Sequence, residues 1–247
     1  MDKKVVVVGG ASGVGAACVR SLADAGATVV SMDVSEELGQ ETARAAGQSF
    51  LRCDITDREQ VFAAFEEAAA SMGGIDALVH TAGILLQGPA AELDDQSWER
   101  VMEINARGPV YTNQAVLPFL KKSERGSITN FASSAALTAY PNGAAYAASK
   151  GAVTAWTRSI AVEWAPFDIR ANVVHPSAAT PMLEAHRDKL SEEGKIAYDE
   201  LLKQKVPLGG RFGDPDRDIA PVITFLVSDG ARFVTGQNIA VNGGYYI

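Results

Sequence analysis

The protein is 247 residues long and acidic, with 22 lysine and arginine residues against 30 aspartate and glutamate residues and a formal net charge of -8 at pH 7. This charge, without any run of basic residues, argues against nucleic acid or an anionic membrane surface as a partner. The length suits one α/β domain, so we expect a single domain over residues 1–247.

The two cysteines, Cys18 and Cys53, indicate neither a disulfide framework nor a metal-ligand cluster, so no metal is expected. No apolar stretch approaches the roughly 20 residues that cross a bilayer. The first residues also lack the apolar segment of a signal peptide. These features predict a cytoplasmic protein.

The first predicted element is a buried strand that leads into a glycine-rich turn. Residues 5–8 are four consecutive valines, which suit a strand covered on both faces, and a helical pattern of apolar residues follows the turn. Strand, glycine turn and helix N-terminus together present backbone N–H groups to an anion, which predicts a pyrophosphate-binding site. The residues of this site are Gly9, Ser12, Gly13, Val14 and Gly15.

The second predicted strand, residues 27–32, ends in Asp33. A carboxylate about 20 residues beyond the glycine turn can accept hydrogen bonds from an adenosine ribose without a 2′-phosphate. The same carboxylate would repel that phosphate, and no basic residue stands in the turn or directly after Asp33. NAD is therefore the expected cofactor. The alternative is that Asp33 only caps a turn.

Strand-like and helical patterns alternate along the rest of the chain. Alternation of this kind predicts right-handed crossovers and a Rossmann-type, doubly wound parallel sheet of the α/β class, with helices on both faces. Ligands of such sheets bind outside the carboxyl ends of the strands. The strand-like runs are residues 49–53, 77–81, 127–132, 169–175 and 238–241, and the helical runs include residues 58–72 and 97–120, the second with an aspartate or serine of residues 94–98 available as a cap.

Tyr146 and Lys150 stand four residues apart in a helical stretch, so they lie on the same helix face. A nearby cation favours the phenolate and brings the pKa of the phenol toward neutral pH. Tyr146 is thus a candidate proton donor and acceptor. The alternative is an ordinary surface pairing of an aromatic ring with a lysine stem.

Taken together, these motifs resemble the short-chain dehydrogenase/reductase family over essentially the whole chain. The glycine turn is similar to the family's TGxxxGxG pattern, with Val8 in place of the threonine, and Ser133 lies 13 residues before Tyr146, as the family's serine does. The resemblance implies an oxidoreductase that transfers a hydride between NAD(H) and a secondary alcohol or ketone.

The resemblance also implies roles for individual residues. Ser133 would bind the substrate oxygen, Lys150 would lower the pKa of Tyr146 and bind the nicotinamide ribose, and Asn105 would support a water that relays protons. Further residues implied to contact the cofactor are Asp54, Ile55, Ala82, Gly83, Pro176 and Thr180.

Two segments depart from the family pattern. His80 and Thr81 replace both asparagines of the NNAG motif, which leaves open what holds the central sheet there. Ser177 replaces the glycine of the PGxxxT segment, and Thr180 comes one residue early.

An uncharged, partly apolar alcohol or ketone is the expected substrate. The residues that the resemblance places near the reacting carbon include Leu85, Ala135, Tyr140, Met182 and Leu183. Residues 180–210 are polar and helical, and they are interpreted either as a mobile lid over the substrate or as an ordinary surface hairpin. His186 would contact the substrate only in the first case.

The family resemblance further implies a homotetramer. One interface would use the 97–120 helix and the helix that carries Tyr146, and a second would use the C-terminal strand and tail. Two other functions stay open: an NADPH-dependent 3-oxoacyl-thioester (acyl-carrier-protein) reductase, and a regulatory protein that senses NAD without turnover.

Overall fold

A computed structural model of the protein describes residues 1–188 and 190–245, without the side chains of Met182, Ala185 and His186. Within these residues, seven parallel strands form one sheet in the order β3-β2-β1-β4-β5-β6-β7. The predicted doubly wound parallel sheet is therefore confirmed. The strands are β1 (Lys4–Val8), β2 (Thr28–Asp33), β3 (Ser49–Arg52), β4 (Ala77–His80), β5 (Ser127–Phe131), β6 (Arg170–Pro176) and β7 (Asn238–Val241).

Helices cover both faces of the sheet. One layer contains α1 and α9, and the other contains α3, α5 and α6, each packed on its own hydrophobic core. The helices are α1 (Gly13–Asp24), α2 (Glu36–Ala45), α3 (Arg58–Met72), α4 (Asp95–Met102), α5 (Gly108–Leu120), α6 (Ala144–Glu163), α7 (Pro181–Arg187), α8 (Glu192–Lys205) and α9 (Ala220–Val227).

The four valines of β1 contribute side chains to both hydrophobic cores. Val5 and Val7 pack with the α1 layer, whereas Val6 and Val8 pack with the α3 layer, and all four side chains are buried. Successive side chains of a strand point to opposite faces, so a strand between two helical layers needs apolar residues at every position.

The region predicted as one helix over residues 97–120 contains a break. Asp94 caps α4 by accepting a hydrogen bond from the Ser97 N–H, as expected, but a π-helical turn, Glu103–Arg107, separates α4 from α5. Pro109 has no N–H to donate to the carbonyl of Asn105. The N–H of the preceding residue, Gly108, donates to the carbonyl of Glu103, which lies five residues back and not the four of an α-helix. The π turn places Asn105 in the interior.

A buried polar network fixes α6 against the sheet. The amides of Asn113 and Asn130 exchange two hydrogen bonds of 2.9 and 3.1 Å, and Asn130 also donates to Thr157 on α6. Trp156, from the same helix, donates its indole N–H to Asn113. Because every member is paired, the network orients α6 and the residues that it carries.

No helix in the described part of the chain is long and apolar enough to cross a membrane.

Candidate active site

A cavity of about 1030 Å³ lies at the carboxyl ends of the strands. Its volume is at the upper end of the range for small-molecule sites. All predicted site residues with described side chains line it, with the exception of Asn105, which lies behind its wall. The predictions for Met182 and His186 concern side chains outside the described part of the structure.

The glycine turn forms one end of this cavity. Gly9 has φ +85°, and its N–H donates to the Met32 carbonyl of β2 at 2.7 Å. A Cβ at Gly15 would lie 1.9 Å from the Gly9 carbonyl oxygen, so only glycine lets α1 start so close to the strand. Ser12, the N-cap of α1, makes no side-chain cap hydrogen bond, and the first N–H groups of the helix stay available to an anion. This end therefore fits the diphosphate of a dinucleotide.

Thr180 lies against the same turn. Its Cγ2 is 3.6 Å from the position that a Cβ on Gly13 would take, and it lines the cavity. The early position of this threonine in the sequence therefore does not remove it from the diphosphate end.

Asp33 lies where the sequence predicted a ribose contact, and it also shapes its own surroundings. One carboxylate oxygen accepts from the Ala11 N–H at 3.2 Å, and the other accepts from the Ser35 N–H at 3.0 Å. The turn-capping role and the cavity position are thus both present. Each oxygen keeps a lone pair for a further donor.

Arg52 is a cavity residue that the sequence analysis missed. Its Cα is the register partner of Asp33 across β2 and β3, and it lines the cavity beside that carboxylate. A pairing between neighbouring strands requires the register of the sheet, which the sequence pattern alone does not provide.

Tyr146, Ser133 and Lys150 all line the cavity. The Ser133 hydroxyl acts on the pKa of the Tyr146 phenol, and the Lys150 ammonium lies 5.8 Å from the centroid of the Tyr146 ring. Lys150 is buried, and its Nζ donates to the Phe131 carbonyl at 3.1 Å. The two residues are therefore not an exposed surface pair.

The electrostatics of this group differ from the expectation. Burial raises the pKa of Tyr146, its hydrogen bond with Ser133 opposes the rise, and Tyr140 adds to it, while Lys150 is not among the causes. Burial also lowers the pKa of Lys150 from 10.5 to about 8. In the protein without a cofactor, desolvation disfavours both the phenolate and the ammonium. The predicted lowering of the Tyr146 pKa by Lys150 is therefore absent.

Ser133 is held from two sides. Its Oγ accepts from the Ala135 N–H at 3.2 Å, which leaves the hydroxyl hydrogen free to be donated. Its carbonyl lies 2.8 Å from Nδ1 of His175, a fully buried histidine whose Nε2 is 3.3 Å from Oδ1 of Asn238. His175 supports the serine, which the sequence analysis did not foresee because the two residues are far apart in the chain.

Asn105 organises the wall behind Lys150. Its Oδ1 accepts from the Ile84 N–H at 2.7 Å, and its Nδ2 donates to the Ile84 carbonyl and to Ser149. A Cβ on Gly83 would lie 3.1 Å from both Asn105 Oδ1 and Lys150 Nζ. A glycine at this position therefore lets the lysine and the asparagine approach the backbone.

His80 and Thr81, which replace the family's two asparagines, do hold the sheet. Nδ1 of His80 lies 2.9 Å from the Thr112 hydroxyl on α5, and Thr81 donates to the Val8 and Gly9 carbonyls at the end of β1. Burial lowers the pKa of His80 from 6.5 to about 3, with a further contribution from the charge of Lys150. His80 is therefore a neutral structural residue.

The other end of the cavity is walled by the α7–α8 hairpin, the following loop and the C-terminal segment. The described side chains that these segments contribute to the lining carry no charge, and they include several that the sequence analysis missed. They are Leu183, Tyr198, Leu201, Leu202, Phe212 and Tyr245. The hairpin thus covers the cavity, and an ion pair of 2.6 Å between Arg187 and Asp199 ties its two helices together.

Comparisons with known proteins agree with this geometry. A family model described as "Enoyl-(Acyl carrier protein) reductase" matches residues 9–246. A cyclopentanol dehydrogenase of Comamonas sp. is 39% identical over 250 residues, which cover 99% of this chain and 97% of that protein. An NAD-dependent glycerol dehydrogenase of Listeria innocua is 34% identical over 252 residues, with 100% and 94% covered.

A solved structure shows the same fold. The ligand-free aldohexose dehydrogenase of Thermoplasma acidophilum superposes with a TM-score of 0.90 at 29% identity, covering 99% of this chain and 94% of that one. With the family model matching nearly the whole sequence, the chain belongs to the short-chain dehydrogenase/reductase family of oxidoreductases.

Proposed function

We propose that the protein is an NAD-dependent dehydrogenase that interconverts an uncharged, partly apolar secondary alcohol and its ketone. One observation carries the proposal: Ser133, Tyr146 and Lys150 line the same cavity as the N-terminus of α1, which has no side-chain cap. The arrangement combines a proton-transfer group with a dinucleotide site.

The residues present fit NAD. The N–H groups at the start of α1 suit the diphosphate, Asp33 suits the adenosine ribose hydroxyls, and Asp54, which also lines the cavity, suits the adenine ring. Lys150, another lining residue, is the proposed contact of the nicotinamide ribose. When bound, the nicotinamide ring accepts the hydride of the carbinol carbon, or returns it in reduction.

The protein's own groups manage the proton and the charge. Ser133 donates a hydrogen bond to the substrate oxygen, because its Oγ already accepts from Ala135. Tyr146 removes the hydroxyl proton in oxidation and returns it in reduction. Lys150 supplies positive charge near the phenol, and Asn105, at the wall behind it, is the expected support for a water that carries protons onward.

Removal of the Tyr146 hydroxyl tests the proposal. Tyr146→Phe should lower kcat by about 100- to 10,000-fold, which is the range that proton transfer by a side chain contributes, while NADH binding changes little. The assay is NADH formation, followed by absorbance, with a panel of cyclic and open-chain secondary alcohols. Tyr111→Phe, which removes a phenol outside the cavity, is the matched control. Full activity of Tyr146→Phe would refute the assignment.

The choice of NAD over NADP rests on Asp33. A 2′-phosphate would face its carboxylate, and like-charge juxtaposition in a binding site costs several kcal/mol. Arg52, the register partner of Asp33, is the group that could soften this repulsion. The NAD-dependent glycerol dehydrogenase among the relatives supports the same choice.

Two variants separate the contributions of these residues. Asp33→Ser should reduce the ratio of kcat/KM for NAD to kcat/KM for NADP by about 100-fold. Arg52→Gln should increase this ratio. An unaltered ratio of the two cofactors in Asp33→Ser would show that the carboxylate does not select the ribose.

The expected substrate class follows from the uncharged lining at the hairpin end of the cavity. Because the described side chains of this lining include no cation, a carboxylate or phosphate there would lose its hydration without compensation. A small ring alcohol, such as the substrate in the name of the Comamonas relative, fits this lining.

A second candidate is an NADPH-dependent 3-oxoacyl-thioester reductase. The description of the matching family model names an acyl-carrier-protein substrate, which favours it. Asp33 opposes NADPH, and an acidic carrier protein would be repelled by a chain of net charge -8. Oxidation of NADPH with an acetoacetyl thioester, faster than NADH formation from any alcohol, would decide for this candidate.

A regulatory protein that senses NAD without turnover is the least supported alternative. Such a protein has no need of a buried lysine next to a tyrosine and a serine, and all three are present here. Cofactor binding without turnover of any alcohol or ketone in the panel would favour it.

The proposed assembly is a homotetramer. Besides the family resemblance, exposed apolar side chains support it, notably Val162 on α6 at 77% exposure and Phe233 before β7 at 100%. Where such side chains form a contiguous patch, the patch marks an interaction surface. Sedimentation velocity of the purified protein tests the assembly, and a monomer at assay concentrations would contradict it.

A further inference from the structure

Tyr198 is the one phenol on the wall formed by α8. It lines the cavity, yet its hydroxyl oxygen is shielded from solvent and has no hydrogen-bond partner among the described residues. A buried hydroxyl without a partner is costly in free energy, and native proteins keep few of them without a functional reason. The apolar neighbours on the same helix, Leu201 and Leu202, offer no donor or acceptor side chain.

The surroundings place this hydroxyl at the substrate end of the cavity. Burial raises the pKa of Tyr198, and the charges of Arg187 and Tyr140 act on it in opposite directions, so both lie nearby. The Tyr140 ring is 5.9 Å from the ring of Tyr146. Tyr140 therefore neighbours both the proposed proton donor and Tyr198.

The charge near Tyr198 is already neutralised. Arg187 binds Asp199 in a two-pronged ion pair, with N–O distances of 3.1 and 2.6 Å. A guanidinium engaged in this way offers little attraction to a second anion. A ligand group that meets the Tyr198 hydroxyl is thus selected by hydrogen bonding and not by charge.

We propose that the Tyr198 hydroxyl recognises a second, uncharged oxygen of the substrate, a hydroxyl or a ketone on a ring carbon other than the one that reacts. The inference rests on the proposed dehydrogenase activity and narrows its substrate class to oxygenated ring alcohols. A site that hydrogen-bonds such a group discriminates against the analogue that lacks it, because its own polar atom is otherwise left unpaired.

The test compares kcat/KM for cyclohexanol with that for cyclohexanediols whose second hydroxyl lies across the ring from the first. The wild-type protein should prefer at least one diol by about tenfold, equivalent to about 1.4 kcal/mol. Tyr198→Phe should lower kcat/KM for that diol by about tenfold and leave cyclohexanol nearly unchanged. Tyr111→Phe should alter neither substrate.

Thermal unfolding separates recognition from a structural role. Since the hydroxyl has no partner among the described side chains, its removal should leave Tm unchanged or raise it. A Tm lowered by several degrees in Tyr198→Phe would show that the hydroxyl supports the fold, and it would overturn the inference. A loss of activity that is equal for diol and cyclohexanol would do the same.

The remaining outcomes are also decisive. A ring alcohol with a carboxylate in place of the second hydroxyl should be a poorer substrate than the diol, and a preference for it would overturn the requirement for an uncharged group. Failure of the wild-type protein to form NADH from any alcohol would remove the proposed function and this inference together. Turnover of cyclohexanol without a diol preference would remove the inference alone.

Discussion

Gly83→Ala is a minimal change that tests how the backbone positions the proposed catalytic lysine. The new Cβ would lie 3.1 Å from Lys150 Nζ and from Asn105 Oδ1. Unstrained contacts to carbon lie at about 3.5–4.0 Å, so Nζ would have to retreat by about 0.4 Å. Its hydrogen bond to the Phe131 carbonyl is already 3.1 Å long, and a retreat would strain it further.

The expected effect follows from the size of this displacement. A misplacement of about 1 Å can cost about 100-fold in rate, so a shift of about 0.4 Å should cost roughly sixfold if the logarithm of the rate falls linearly with distance. The backbone at Gly83 does not require a positive φ, and Ala introduces no conformational strain there. The loss should therefore appear in kcat/KM for the alcohol, with little change in Tm.

Gly88→Ala is the matched control, because nothing lies within 4 Å of the Cβ that it would add. Both variants are compared with the wild-type protein in steady-state NADH formation and in thermal unfolding. Wild-type kinetics in Gly83→Ala would refute the reasoning that backbone contact fixes Lys150. An equal loss in both variants would assign the effect to the loop and not to the lysine.

Two other predictions follow from buried cations. Because the pKa of Lys150 is lowered to about 8, NADH binding that places its ammonium on the ribose should raise that pKa and take up about half a proton per site at pH 8. Calorimetry in buffers of different ionisation enthalpy measures this uptake, which should vanish in Lys150→Arg because the guanidinium stays charged. Arg170 donates from Nη2 to the Leu226 carbonyl at 2.7 Å, near the end of α9, so Arg170→Met should lower the free energy of unfolding by about 2–3 kcal/mol in urea titrations. Arg158→Met, an exposed change on α6, should have almost no effect, and equal midpoints for both variants would contradict the capping role.

Local sequence patterns were sufficient to predict most of the helices and strands. Residues 58–72 and 238–241 form a helix and a strand with the predicted bounds, and the other predicted strands differ by about one residue at their ends. These elements combine clear periodicity with an explicit boundary signal, such as the Asp57 cap of α3. The sequence analysis missed the π turn because the spacing of apolar residues gives no sign of the N–H that Pro109 lacks.

Tertiary contacts account for what the sequence could not supply. The link from His175 to the Ser133 carbonyl and the register that brings Arg52 beside Asp33 both join residues that are distant in the sequence. The lack of a partner for the Tyr198 hydroxyl among the described residues is likewise visible only in the folded structure. The predicted direction of the pKa shift of Tyr146 was wrong for a related reason. Helical spacing brings a lysine near the phenol, but only the folded structure shows that both groups are desolvated.

The two ends of the cavity differ in what determines them. At the end with the glycine turn, backbone geometry determines the proposed diphosphate site, and this geometry is visible in the sequence because only glycine permits the close approach of Gly15 to Gly9. At the hairpin end, the wall consists of side chains such as Tyr198, Phe212 and Tyr245, which can change without altering the backbone. Substitutions there can redirect the enzyme to another alcohol while the cofactor site and the proton-transfer group stay intact. Substrate preference should therefore follow the hairpin and the C-terminal residues more closely than it follows overall sequence identity.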